Sequence, residues 1–222
     1  MSAAGLPEAI AAECGRLGLD VGPDACHGLA AYATSLWSWN ERLNLTRHVD
    51  VARFVGRDVA DAAAVARHLA RGERVLDVGT GGGAPGVILA ILRPDLRVEL
   101  SDSVGKKARA VAAIVAEAGL AVPVHATAAQ ALVGQRREGP DRFDTLVVRA
   151  VAPLAKLLRW FEPLGGAYGR LLVIKGPRWE EELAEAHHQG LGRRLSVRRI
   201  DSWPLVGTDS ETVLLAITPR PG

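Results

Sequence analysis

The stretch from residue 75 to residue 86 restricts this chain more than any other: Val75-Leu76-Asp77-Val78 runs straight into Gly79-Thr80-Gly81-Gly82-Gly83-Ala84-Pro85-Gly86. Four apolar-rich residues are too few for a buried helix, and the glycines forbid their continuation, so the run reads as a strand ending in a tight turn. Residues 87–92 are apolar enough for a helix, and Arg93-Pro94-Asp95 turns the chain into a second strand at 96–100. Two strands joined through a helix lie parallel. The alternation then continues. Ser103 is placed to cap a helix running to about 118, and strands are expected at 122–125, 143–148 and 171–174, with helices at 153–164 and 180–188. Residues 195–200 and 212–217 close the chain as two extended segments with no room for a helix between them, which predicts antiparallel strands at the sheet edge. The expected fold is α/β: a doubly wound, mostly parallel sheet with an antiparallel edge.

Residues 1–72 lack that rhythm and read as helices only. One spans 7–17 with Gly18 as its stop. A second, with Asp24 as its cap, carries the stripe Leu29, Ala33, Leu36, Trp37, Asn40 and Leu43. A third, capped by Asp50, runs to about residue 70 and closes at Arg71-Gly72. This divides the chain into a helical N-terminal cap, 1–72, and a ligand-binding sheet domain, 73–222. Trp37 and Trp39 fit the core better than a stacking platform.

Composition removes several classes of function. There are 27 basic and 25 acidic side chains, a formal charge of +2; residues 1–72 hold 7 and 8 of them, leaving 20 and 17. Bulk charge therefore neither announces nor forbids a nucleic-acid partner. Cys14 and Cys26 are too few for a disulfide framework and lack metal-ligand spacing, as do His125 and the pair His187-His188, so reduced thiols and no metal are expected. No apolar run approaches the roughly 20 residues a membrane span needs. Residues 1–19 carry Glu8 and Glu13 without a basic opening stretch, so no signal peptide is expected, and the cytoplasm is the expected compartment.

Gly79-x-Gly81-x-x-Ala84 and Gly81-x-Gly83-x-x-Gly86 both fit a dinucleotide fingerprint, and Asp102 lies 23 positions after Gly79, where a ribose-binding carboxylate belongs. A tight turn whose glycines merely give the backbone clearance would look the same. Two features favour a cationic ligand over a diphosphate. Asp77 puts a negative charge just before the loop, repelling pyrophosphate and attracting a sulfonium or ammonium. Pro85, at the helix start, supplies no N–H to a phosphate. S-adenosylmethionine fits that charge pattern, and the length after the first βαβ unit completes one sheet without leaving a separate dehydrogenase substrate domain.

Further motifs follow the same order along the chain: Trp39-Asn40-x-x-x-Asn44-Leu45-Thr46, the loop ending Pro85-Gly86, Asp102-Ser103-x-Gly105-Lys106-Lys107, Arg149-Ala150 and Lys175-Gly176. Over roughly residues 25–217 the chain resembles the bacterial 16S ribosomal RNA guanine-N7 methyltransferase family, RsmG, also called glucose-inhibited division protein B. The Pro-Gly loop ending and the Asp-Ser-x-Gly-Lys-Lys block carry the resemblance most specifically. It implies a class I methyltransferase domain at 73–222 that binds S-adenosylmethionine and acts on one guanine of the small-subunit RNA, as naked RNA or in the ribosomal particle. The family's cofactor contacts fall on Gly79, Ala84, the pair Ala128-Ala129 and Arg149. The family usually has an acid in that pair, so here only backbone contacts to adenine are expected. A second departure is Arg57-Asp58-x-x-Asp61-Ala62, where the family tends to Arg-His-x-x-Asp-Ser; this argues against roles for Asp58 and Ala62.

The expected cofactor-binding set is thus Asp77, Gly79, Gly81, Gly83, Ala84, Asp102, Ala128, Ala129 and Arg149. The expected substrate-binding set is Asn44, Thr46, Lys106, Lys107 and Lys175. Asn44 and Thr46 either face the cleft or terminate their helix. Lys106 and Lys107 open a helix, where the dipole disfavours cations, which points to an anionic partner or to a solvated face. Arg149 and Lys175 end strands at the carboxyl edge, where ligands bind in such sheets; replacing Arg149 by Ala is expected to cost activity while the fold holds. Guanine N7 offers a lone pair in the neutral base, so its methylation needs alignment and no general base, and no catalytic acid or base is assigned. The competing functions are a class I methyltransferase of a small molecule or protein, a non-catalytic RNA-binding relative and, more remotely, a nicotinamide dehydrogenase.

Overall fold

The computed structural model describes residues 5–219 of the chain; the outermost residues of both expected domains, 1–4 and 220–222, lie outside it. Seven strands form one sheet in the order β3-β2-β1-β4-β5-β7-β6: β1 Arg74–Val78, β2 Arg97–Ser101, β3 Val124–His125, β4 Phe143–Arg149, β5 Tyr168–Lys175, β6 Leu195–Pro204 and β7 Glu211–Pro219. Strands β1 to β5 pair in parallel, and β7 pairs antiparallel with both β5 and β6. The expected antiparallel pair is present, with β7 inserted inside β6 and not simply appended. The order reverses at β1, whose neighbours are β2 and β4. That crevice, outside the carboxyl ends of β1 and β4, is where a ligand of such a sheet sits.

The strands read as nearly unbroken apolar runs because both faces are covered. Alternate residues point opposite ways. Val75, Val98, Leu100, Val147, Leu172 and Leu214 face α5 (Gly86–Leu92) and α6 (Gly105–Glu117), and share one apolar cluster with the helical front end. Leu76, Leu146, Val148, Leu171, Val173 and Leu215 face α7 (Ala129–Gln135), α8 (Leu154–Phe161) and α9 (Trp179–His188).

The front end consists of α1 (Leu6–Arg16), α2 (Pro23–Leu43), a single turn α3 (Val51–Arg53) and α4 (Ala60–Ala66), with a π-helical segment, Phe54–Val59, between the last two. Leu29, Tyr32, Ala33, Leu36, Phe54, Val55 and Val59 bury themselves in the same cluster as β1 and α5. Cys14 and Cys26 are free, buried thiols, and burial pushes the Cys14 thiol up to about 11. No helix among the described residues is long and apolar enough to cross a membrane.

Local expectations needed four corrections. Gly22, not Asp24, is the cap residue of α2, because Pro23 occupies the first helical position and Asp24 already lies in the first turn. Asp50 does cap the third helix, accepting Arg53 N–H at 2.8 Å, but a π segment interrupts that helix and it stops at Ala66. Ser103 caps nothing; Asp102 Oδ1 takes Val104 N–H at 2.8 Å instead, and α6 starts at Gly105. Helix α7 had no sequence counterpart.

Candidate active site

The glycine loop is shaped by what presses on it. At Gly83 (φ +110°) a Cβ would lie 2.8 Å from Val87 Cγ2 and 3.0 Å from Tyr32 Oη, so both conformation and space exclude a side chain. Gly86 is fixed by packing instead: a Cβ there would meet Leu100 Cδ2 at 2.3 Å and Asp77 Cβ at 2.6 Å. Most of the loop's N–H groups are spent internally. Thr80 N–H donates to Ser101 O (3.0 Å), Gly83 N–H to Thr80 O (2.8 Å) and Val87 N–H to Gly83 O (2.7 Å). Two carboxylates take others: Gly81 N–H donates to Asp102 Oδ2 at 3.0 Å, and Gly86 N–H to Asp77 Oδ2 at 3.0 Å, which also accepts Thr80 Oγ1–H at 2.6 Å. A loop whose donors already serve carboxylates has little left for a diphosphate, and it presents negative charge instead. Asp77 is 1% exposed. Burial raises its pKa to about 6, against the lowering pull of Thr80 and Gly86.

A second cluster closes the side of the crevice. Arg149, the last residue of β4, donates through Nη2 to Asp58 Oδ1 and through Nη1 to Asp61 Oδ2 at 3.1 Å. Asp58 also faces His48 Nδ1, 3.0 Å from both oxygens, and Asp61 Oδ1 accepts Trp203 Nε1–H at 3.0 Å. One guanidinium thus joins the front end to the sheet, and Asp61 extends the tie to β6. Asp58 lies within the π segment and Asp61 just beyond it in α4, three positions apart and so on one helix face, and both carboxylates reach one guanidinium. Burial works against the Arg149 charge, but Asp58 and Asp61 outweigh it and hold the guanidinium protonated; burial raises the pKa of Asp61 despite Arg149.

Between the loop and this cluster lies a cleft of about 210 Å³. Gly79, Thr80, Gly81 and Ala84 form its floor, Tyr32, Leu36, Leu45 and Thr46 its wall on the cap side, and Asp58, Lys107, Arg149 and Ala150 the remainder. Tyr32 donates its hydroxyl to Gly82 O at 3.0 Å, so α2 holds the loop directly. A larger groove of about 510 Å³ between α1, α2 and α6 receives none of the loops at the carboxyl edge of the sheet.

Of the residues expected from sequence, Gly79, Gly81, Ala84, Arg149, Thr46 and Lys107 line this cleft. Asp77, Gly83 and Asp102 stand behind it and brace the loop. Ala128 is the cap residue of α7, and Ala129 is buried in the apolar layer beneath. Asn44 ends α2 in a left-handed conformation (φ 47°), and Thr46 Oγ1 accepts His48 N–H at 3.0 Å, so both serve the turn after α2. Lys106 points outward while Lys107 faces in. Lys175 is turned inward onto Glu182 at 2.6 Å. Trp37 donates to His48 O at 2.8 Å and packs edge-on against Phe54, as a core residue does.

The comparisons with known proteins agree on this architecture. Residues 25–202 match the family described as rRNA small subunit methyltransferase G. The ribosomal RNA small subunit methyltransferase G of Rhodopirellula baltica is 43% identical over 86% of this chain and 80% of its own length. That of Pseudomonas paraeruginosa is 40% identical over 76% and 77%. This chain belongs to that family. Among solved structures, the O-methyltransferase from Bacillus cereus in complex with SAH shares the fold, with a TM-score of 0.55 and 17% identity over 85% of this chain and 90% of that one.

Family membership sharpens what sequence reasoning missed. Asp58 was set aside because the methyltransferase G family tends to His there, yet it lines the cleft and binds Arg149. The imidazole beside that position comes instead from His48, a turn residue without motif. Tyr32 and Thr80 were also passed over; Tyr32 sits on the apolar stripe of α2, and its hydroxyl gives no signal in a period count.

Proposed function

We propose that this chain transfers a methyl group from S-adenosylmethionine to N7 of a guanine in 16S ribosomal RNA. The single observation that carries the cofactor reading is the carboxylate-braced glycine loop, which suits a cation and wastes no donors on a phosphate. S-adenosylmethionine supplies the methyl group together with the positive charge that leaves with it. Gly79, Gly81 and Ala84 floor its site, Asp102 and Asp77 hold that floor, Arg149 closes it, and Ala128 and Ala129 offer backbone toward the adenine. Asp58 and Asp61 neutralise the Arg149 guanidinium, so that cation does not stand bare against a purine that is gaining positive charge. No residue is needed to remove a proton; the chain's task is alignment.

Lys107 lines the cleft, and it makes no ion pair among the described residues; nor do Lys106 beside it in the chain, Arg47 next to Thr46 or Arg57 next to Asp58. Unpaired cations around the cleft support an RNA substrate held by its phosphates, with Asn44 and Thr46 at the base-entry side. The helical cap, 1–72, and the methyltransferase domain, 73–222, act together on this substrate in the cytoplasm, as naked RNA or in the small ribosomal particle. The test is to map N7-methylguanine in small-subunit RNA from a deletion strain and its parent: one modified guanine disappears and returns on complementation. An unchanged map refutes the proposal.

A further inference from the structure

Lys175 ends β5 at the carboxyl edge, yet its side chain is only 11% exposed. Its Nζ donates to Glu182 Oε2 at 2.6 Å and to Ala152 O at 2.8 Å. The same Glu182 oxygen accepts Leu154 N–H, the first amide of α8, at 2.8 Å. Two side chains from β5 and α9 therefore fasten the connection between β4 and α8 at its carbonyl and at its amide. That connection forms part of the cleft. Ala150, in the left-handed region at φ 54°, lines it, and Val151 Cγ2 lies 2.9 Å from where a Cβ on Gly79 would stand. A non-glycine residue holds such a conformation only where its surroundings over-determine it.

We infer that Lys175 and Glu182 are positioning residues for the cofactor: the pair fixes the 150–153 connection against Gly79 and so sets the width of the cleft, without either side chain touching ligand or RNA. The inference rests on the methyltransferase reading above. It differs from a substrate role for Lys175, because an ammonium bound to a carboxylate and a carbonyl is already satisfied. It also assigns a function to Glu182, which lies on α9, outside the cleft lining. Glu180 and Glu181 share its helical turn and make no ion pair among the described residues.

The test uses the full chain with Lys175→Met, Glu182→Gln, the double variant and Lys175→Arg. Calorimetry gives the Kd for S-adenosylmethionine, methyl transfer to 16S ribosomal RNA gives KM for each substrate, and thermal unfolding gives Tm. Each single variant raises the cofactor Kd roughly tenfold, less than the roughly hundredfold that a distant substitution can cost when it misplaces a site by about 1 Å. The double variant is no worse than either single one, and Lys175→Arg recovers most of the loss. KM for RNA and its salt dependence stay at the parent values. If Glu182→Gln binds S-adenosylmethionine as the parent does, whatever its Tm, the inference falls. It also falls if Lys175→Met raises only KM for RNA and flattens its salt slope, which marks a phosphate contact. Should Glu182→Gln not fold, Glu182→Asp, which keeps the charge but draws it back by one methylene, takes its place under the same criteria. A parent chain giving no heat with S-adenosylmethionine overturns the methyltransferase reading itself; a parent that binds while the variants bind equally overturns only the positioning pair.

Discussion

Replacing Asp77 by Asn keeps an oxygen for Thr80 and Gly86 but removes a buried charge. Asp77 has an ordinary value of 3.8 that burial raises to about 6 in the folded chain. A shift of about two units at roughly 1.4 kcal/mol each is worth about 3 kcal/mol. The sign follows from proton binding. The folded chain holds the Asp77 proton more tightly than the unfolded one, so the associated stability is fully present below about pH 4 and lost as pH rises through about 6. The Asn variant has no such titration. In urea unfolding between pH 3 and pH 7.5, the stability of Asp77→Asn relative to the parent should therefore climb by about 3 kcal/mol. A difference that stays flat or falls over that range would refute the burial argument. Cofactor binding runs the other way. At pH 7.5 the parent carboxylate is still mostly ionised, and a full charge close behind the loop is worth about 1–2 kcal/mol at an effective dielectric near 20, so Asp77→Asn should lose roughly tenfold in affinity for S-adenosylmethionine. The uncharged thioether product should lose much less, and equal losses for both would mean that Asp77 acts only through loop geometry.

Arg149→Ala leaves Asp58 and Asp61 buried without their cation, so the variant should lose about 3–5 kcal/mol in urea unfolding as well as activity. The sequence alone leads to the expectation that the fold holds unharmed; an unchanged unfolding midpoint would bear that out and contradict the ion-pair argument. Gly86→Ala forces a methyl group into Leu100 and the Asp77 side chain, and should cost about 1–3 kcal/mol, read as a lowered Tm together with weakened cofactor binding. Tyr32→Phe deletes the hydroxyl that holds Gly82 O and should cost about 1 kcal/mol, seen in chemical unfolding, with a raised KM for the cofactor. Lys107→Gln should weaken RNA binding and lower the slope of log K against log salt by about 1, with the cofactor Kd within twofold of the parent.

The sheet was legible because its physics is local. The apolar runs, the turn residues Arg93-Pro94-Asp95 and the glycine loop each announce themselves within a few positions, and parallel pairing follows from the helices between them. The floor of the cleft was legible for the same reason, since Gly79, Gly81 and Ala84 occupy one loop. What could not be read depends on contacts between distant segments. Asp58 and Asp61 meet Arg149 across about 90 positions of chain, a meeting that no local pattern announces. Lys175 looked like a substrate contact from its place at a strand end, but its partner Glu182 lies on the following helix, and direction is a property of packing. Helix α7 escaped because its seven residues include Gly134 and carry too short a stripe to stand out.

The most direct test of the central claim is transfer in vitro. Purified chain, S-adenosylmethionine carrying a labelled methyl group, and small ribosomal subunits or naked 16S RNA from a strain lacking the enzyme are incubated together, and the RNA is digested to nucleosides. The account predicts label in 7-methylguanosine alone, near one equivalent per RNA, with no divalent metal needed for the chemistry. Label in any other nucleoside, or none in RNA while S-adenosylmethionine binds normally, would contradict it.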